Sequence, residues 1–159
     1  MTSFGISSRR SPRVPEHPMN TQALRSDAPC PCGRGPSYAQ CCARWHTGPL
    51  QGEAPDAETL MRSRYSAYAL GLHDYLLQTW HPDTRPRQLA PDEPGLRWLG
   101  LQVLRHDVPD ADHAQVAFVA RFKVGGARAQ RLTEHSRFVR VNGRWLYRDA
   151  VSPDVVPPT

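Results

Sequence analysis

The 159-residue chain has no apolar run approaching the length of a membrane span. Its start does not pair a basic n-region with an apolar h-region, so the sequence points to a cytoplasmic protein without a membrane partner. It contains no Ser-His-Asp order, no phosphate loop and no His-rich metal cluster, so no reaction class can be assigned and the reading leans away from an enzyme. Cysteine is absent everywhere except in one stretch of thirteen residues, from Cys30 to Cys42, which holds all four. Charge of one sign is only mildly in excess, at +5 with a pI near 9.4. A four-thiolate zinc site would lower that total by about two charges. A modest surplus of arginine then describes a solvated basic surface better than a nucleic-acid-binding one.

The cysteines are spaced C-x-C, eight residues, then C-C: Cys30, Cys32, Cys41 and Cys42. Four thiolates this close suit tetrahedral zinc, which takes sulfur at roughly 2.3 Å. Gly33 and Gly35 allow the chain to fold back after the first ligand pair. Pro36 can open a short helical turn, with Tyr38 as its packing residue. The rival readings are two disulfides and a redox-active thiol pair. Neighbouring cysteines such as Cys41 and Cys42 bridge only with strain, and a reducing compartment disfavours disulfides. Redox catalysis usually uses C-x-x-C at a helix start. A closed four-sulfur site has no open position for water, so one zinc here would be structural.

The rest of the chain reads as one domain of moderate size. Residues 1–27, rich in Ser, Arg and Pro, read as a disordered segment. The zinc module covers 28–46, and the Gly- and Pro-containing stretch 43–55 reads as a connecting loop. A helix is predicted from Asp56, with Asp56 as N-cap, Glu58 on the positive end of the dipole and Gly71 as its stop. Leu60, Met61, Tyr65, Tyr68 and Leu72 form its apolar face, and Arg64 lies on that same face. A buried charge there needs a partner. A second helix is predicted over about 73–80, ended by Pro82 after His81.

From residue 97 the period alternates. Strands are predicted over about 97–106, 114–124, 129–141 and 144–150. In the first, Leu99, Leu101 and Val103 share one face, with Trp98 and Leu104 on the other. Asn142-Gly143 is a two-residue hairpin turn, which pairs Val141 with Arg144, Phe138 with Tyr147 and Ser136 with Asp149. One hairpin face then carries Glu134, Ser136, Phe138, Arg140, Trp145, Tyr147 and Asp149. On a curved sheet covered by helices, that face would line a pocket. Residues 152–159 read as a flexible tail. The fold class is α+β: a small N-terminal zinc knuckle, then a cone-like domain (55–151) of two or three helices on a curved, mainly antiparallel four-stranded sheet.

Two resemblances follow from these residues. Cys-Pro-Cys-Gly-x-Gly-x-x-Tyr-x-x-Cys-Cys resembles the SEC-C motif, the zinc-binding tail of the preprotein translocase SecA. Arg34 stands where that motif usually has Ser. The resemblance implies one zinc ion and a protein partner for the module. The helices followed by a curved sheet resemble a nuclear transport factor 2-like domain. Leu60-Met61-Arg62-Ser63-Arg64-Tyr65-Ser66-Ala67-Tyr68, Thr79-Trp80-His81-Pro82, Trp98-Leu99-Gly100-Leu101 and Glu134-x-Ser136-Arg137-Phe138 together resemble the bacterial YchJ family over about residues 28–150. That resemblance implies fold and metal but no reaction.

Two functions are weighed, and the sequence reading leans towards the first, a binding or accessory role, with the second, a binding or enzymatic pocket, as the alternative. In the first, the zinc module binds a protein, or simply staples a short segment to the domain. In the second, the cone holds a small molecule. Its candidate residues are Arg64, Tyr65, Tyr68, His81, Trp98, Glu134, Ser136, Tyr147 and Asp149, with Glu134 as base, His81 or Tyr68 as donor and Arg64 as anion anchor. Each also has a structural reading. Arg64 and Glu134 would form a buried ion pair, His81 a helix cap, and Trp80, Trp98 and Trp145 parts of the core. Register splits Arg137, Arg140, Arg144 and Arg148 between faces, which counts against a nucleic-acid surface.

Overall fold

The computed structural model describes residues 26–151. Most of the segment expected to be disordered, and the expected tail, lie outside that range. The N-terminal module starts earlier than residue 28, because the Ser26 carbonyl accepts from the Ala39 N–H at 2.9 Å. A 3-10 turn spans Tyr38–Gln40 and helix α1 spans Ala43–His46. The stretch expected to be loop from residue 43 therefore begins as helix. Its reason is local: the Cys42 carbonyl accepts from both Trp45 and His46.

Helix α2 spans Ala57–Leu70. Asp56 caps it with an extended backbone, its carboxylate accepting from the Thr59 N–H at 2.7 Å. Gly71 closes it in the left-handed region, at φ 74°. Helix α3 covers His73–Gln78, two residues less than expected. It stops early because β4 claims the following backbone: Tyr147 N–H donates to the Thr79 carbonyl, and His81 N–H donates to the Tyr147 carbonyl at 2.7 Å.

The sheet is an antiparallel meander in the order β1-β2-β3-β4, made of Leu96–Asp110, His113–Val124, Gln130–Val141 and Arg144–Val151. The inner face of β2 carries Ala114, Val116, Phe118 and Ala120, all buried. The expected faces of β1 are corrected. Register shifts fall between Trp98 and Gly100 and between Val103 and Arg105. Each bulge turns one residue, Leu99 or Leu104, outward, so both are exposed. Trp98, Leu101 and Val103 then share the inner face, and all three pack on the core.

The β3–β4 hairpin turns at Asn142-Gly143, both with positive φ (53° and 82°), as the primed two-residue turn requires. Val141 pairs with Arg144 and Phe138 with Tyr147, as the turn dictates. Beyond that point a register shift pairs Arg137 with Asp149 and Ser136 with Ala150. The expected Ser136–Asp149 pair does not form, and Asp149 moves off the inner face. Among the described residues, no helix is long and apolar enough to cross a membrane.

Helix α2 is buried on two sides, with Leu60, Ser63, Ser66 and Ala67 all without exposure. Its N-cap is the anchor where the loop turns into this central element. Replacing Asp56 with Ala is expected to cost about 1 kcal/mol, read as a lower urea midpoint at unchanged m-value.

Candidate metal centre and cone cavity

The four cysteines converge on the side of α2 that carries Thr59, Ser63 and Ser66. Gly33 and Gly35 have φ of 76° and 126°, which lets the segment between the two ligand pairs turn back. The Sγ atoms of Cys30, Cys32, Cys41 and Cys42 all lie within 4.8 Å of one another, with Cys32 and Cys41 at 3.5 Å. A tetrahedral thiolate site with bonds of roughly 2.3 Å has sulfur–sulfur edges of roughly 3.8 Å, so the cluster fits a metal. All four are free thiols, and none is more than 4% exposed. Hydrogen bonding from Cys32 holds Cys30 well below the ordinary thiol range. Burial pushes Cys41 up to about 12, and the bond to Cys30 pushes Cys42 up as well. A cation bound here would displace the thiol protons.

The module is fastened to α2 by polar contacts. The Cys30 sulfur lies 3.5 Å from the Ser66 hydroxyl. Arg62 donates from Nη1 to the Cys32 carbonyl (3.1 Å) and from Nε to Glu58 (3.0 Å). Arg34 reaches both Glu58 and Thr59. His46 spans the gap, with Nε2 at 2.8 Å from the Ser63 carbonyl and Nδ1 at 2.7 Å from the Tyr38 hydroxyl. A carbonyl only accepts, so the ring donates from Nε2; being neutral, it accepts from Tyr38 at Nδ1. Burial lowers the pKa of His46, which keeps it neutral. The sequence reading missed His46, Ser63 and Ser66. Their signal was the small polar stripe Thr59, Ser63, Ser66 at helical spacing.

On the opposite side of α2 lies a cavity of about 310 Å³. Arg64, Tyr65, Tyr68, Trp98, Glu134, Ser136 and Tyr147 line it, joined by Phe118, Leu132 and Phe138. Two candidates lie elsewhere. His81 sits past the end of α3, where Nδ1 accepts from the Asp83 N–H at 3.0 Å, so it neither enters the cavity nor caps α3. Asp149, carried off by the register shift, forms a two-point pair with exposed Arg137 at 2.7 and 2.6 Å. That guanidinium holds the Asp149 carboxyl below the usual range.

The expected Arg64–Glu134 ion pair does not form. Arg64 is 5% exposed and donates from Nη1 to the Leu76 carbonyl and to Thr79 Oγ1, both at 2.7 Å. Those acceptors stand at the end of α3, where unpaired carbonyls need donors. Its guanidinium also stacks over Tyr147 at 4.5 Å and Trp80 at 5.1 Å. Burial lowers its pKa, while nearby Tyr68, Tyr147 and, more weakly, Glu134 act the other way. Glu134 accepts from Ser136 Oγ at 3.0 Å on Oε2. Burial, then the Glu134 charge, raises the Tyr147 hydroxyl. Elsewhere on the sheet Arg137 pairs with Asp149, Arg140 with Asp112 and Arg144 with Glu53.

A helix-covered curved sheet with a four-cysteine module ahead of it defines a nuclear transport factor 2-like protein of the SEC-C-bearing type. The chain belongs to the YchJ family: residues 56–150 match that family's description "YchJ, middle NTF2-like domain". A UPF0225 protein of Xanthomonas campestris is 58% identical over 123 residues, 77% of this chain and 93% of that one. One from Bordetella parapertussis is 56% identical over 124 residues, 78% and 92% of the two chains. The solution structure of a SEC-C motif containing protein from Rhodopseudomonas palustris superposes with a TM-score of 0.66 at 32% identity, over 77% of this chain and 96% of that one.

Replacing His46 with Leu removes both of its buried hydrogen bonds and is expected to cost about 2 kcal/mol at pH 7.5. The folded state keeps His46 neutral, whereas the unfolded chain protonates it below about pH 6.5. Its contribution is therefore present above that pH and is lost as pH falls. Urea titrations of wild type and His46→Leu should show the gap between them narrowing from pH 7.5 to 5.5.

Proposed function

We propose that the protein is a cytoplasmic small-molecule-binding protein, with one structural zinc ion holding its N-terminal module against a ligand-binding cone. The observation that carries the binding role is the cone cavity. It is walled by aromatic rings and contains a buried arginine whose Nε and Nη2 have no protein acceptor among the described residues. Its volume lies at the small end of the range for ligand pockets. Zinc is supported by the donor set, since four buried thiols in tetrahedral spacing suit it better than harder cations. When bound, zinc would supply cross-linking free energy and no open coordination position. Cys30, Cys32, Cys41 and Cys42 would hold it, Ser66 would hydrogen-bond a ligand sulfur, and Arg62 would fix the backbone of Cys32.

A second reading is protein docking on the outer side of the module. Residues 33–36 and 39–40 are exposed there, and the SEC-C character of the structural relative supports it. In this reading the zinc shapes the docking loop rather than stabilising the cone.

Native mass spectrometry of protein purified without added metal is expected to show one zinc and a co-purified small molecule. Zinc without a small molecule would shift support to the docking reading. In Cys32→Ser the zinc should be lost and amide exchange over residues 28–50 should rise; retained stoichiometric zinc would contradict the ligand assignment.

A further inference from the structure

We infer that the cone takes a neutral, flat aromatic compound whose edge offers one hydrogen-bond acceptor to Arg64 and one donor to Glu134. The inference rests on reading the cone as a small-molecule site, and it names the ligand class. Two opposite charges face one cavity without meeting each other. Arg64 uses Nη1 on Leu76 and Thr79, which leaves Nε and Nη2 as donors. Glu134 uses Oε2 on Ser136, which leaves Oε1 as an acceptor. No other hydrogen bond or ion pair to these three atoms occurs among the described residues.

Nε and Nη2 open onto the cavity rather than being sealed from it, so whatever fills the cavity, water or a ligand, accepts from them. A purely structural Arg64 would explain the contacts of Nη1 to the end of α3, but not the open side of the guanidinium. An anionic ligand would be drawn to Arg64 and repelled by Glu134, and a cationic ligand the reverse. A carboxamide-like edge meets both conditions: its oxygen accepts from Arg64 and its N–H donates to Glu134. The walls suit a ring. Trp98 stands 5.7 Å from Tyr65 and 6.3 Å from Tyr68, and Phe138 stands 5.8 Å from Tyr147, all tilted or edge-on. Such walls accept a flat aromatic face at good contact.

Benzamide, benzoate and benzamidine share one shape and differ only in the edge, which is acceptor–donor, acceptor only and donor only. They would be titrated into full-length, zinc-loaded protein, following the Trp98 indole N–H signal, with toluene as an edgeless control. Benzamide is expected to bind at least about tenfold more tightly than each of the others. Glu134→Gln keeps the acceptor for Ser136 but removes the negative charge. In that variant benzoate should gain at least about tenfold relative to benzamide. Benzoate, benzamidine or toluene matching benzamide in the wild type would overturn the inference while leaving the cone a binding site. An unchanged order in Glu134→Gln would also overturn it. Silence from all four compounds at millimolar concentration would instead defeat the cone reading itself.

Discussion

The structure depends on one helix being covered on both sides. A helix buried against a sheet normally leaves its other face to water, and that face is then polar. Helix α2 has a polar outer stripe, Thr59, Ser63 and Ser66, yet all three are buried. They are buried beneath the cysteine module, and each has a partner: Thr59 to Arg34, Ser63 to Tyr75 and Ser66 to Cys30. Burial of hydroxyls is tolerated because these bonds are made. The cysteines join the same continuous core as Leu60, Phe118 and Trp145. Thus a metal at the cysteines would be part of the domain's own packing, not a tethered accessory. The loop that faces outward is held by side chains that face inward.

The other side of α2 concerns charge. Arg64 sits on the apolar stripe because it ends the neighbouring helix, not because it neutralises an acid. Its Nη1 donates to the Leu76 carbonyl and the Thr79 hydroxyl at the end of α3, and its flat face lies against Trp80 and Tyr147. A planar cation that both stacks and forks its donors suits this position better than an ammonium would. The result is a cone wall in which a positive and a negative group are held apart by the scaffold. Water or a ligand, rather than a direct ion pair, then has to satisfy them.

Much of this was legible in the sequence, and the reasons differ by element. The cysteine spacing, the Asp56 cap, the Gly71 stop and the Asn142-Gly143 turn are local signals, and each works through a few neighbouring atoms. The alternation of β2 was readable because one unbroken face is buried. The faces of β1 were not readable, because the bulges at Leu99 and Leu104 depend on the register with β2. The same applies to Asp149, which a simple count from the hairpin turn placed opposite Ser136; a shift on β4 placed it opposite Arg137 instead. His81 was misplaced because the sequence marks where a helix ends, but not that β4, far along the chain, captures the backbone beyond it. The clasp made by His46 was hidden because its partners are a carbonyl on α2 and a tyrosine eight residues upstream.

The bulges of β1 also bear on how the molecule behaves among copies of itself. This strand is fifteen residues long and lies at the edge of the sheet. A straight edge of that length would offer a row of unpaired amides and carbonyls to any other extended chain. Three register irregularities interrupt β1, and Pro109 removes one donor near its end. A second strand laid alongside would find its ladder broken every few residues. The irregularity that turns Trp98 toward the cavity therefore also keeps the exposed border of the sheet from seeding intermolecular pairing.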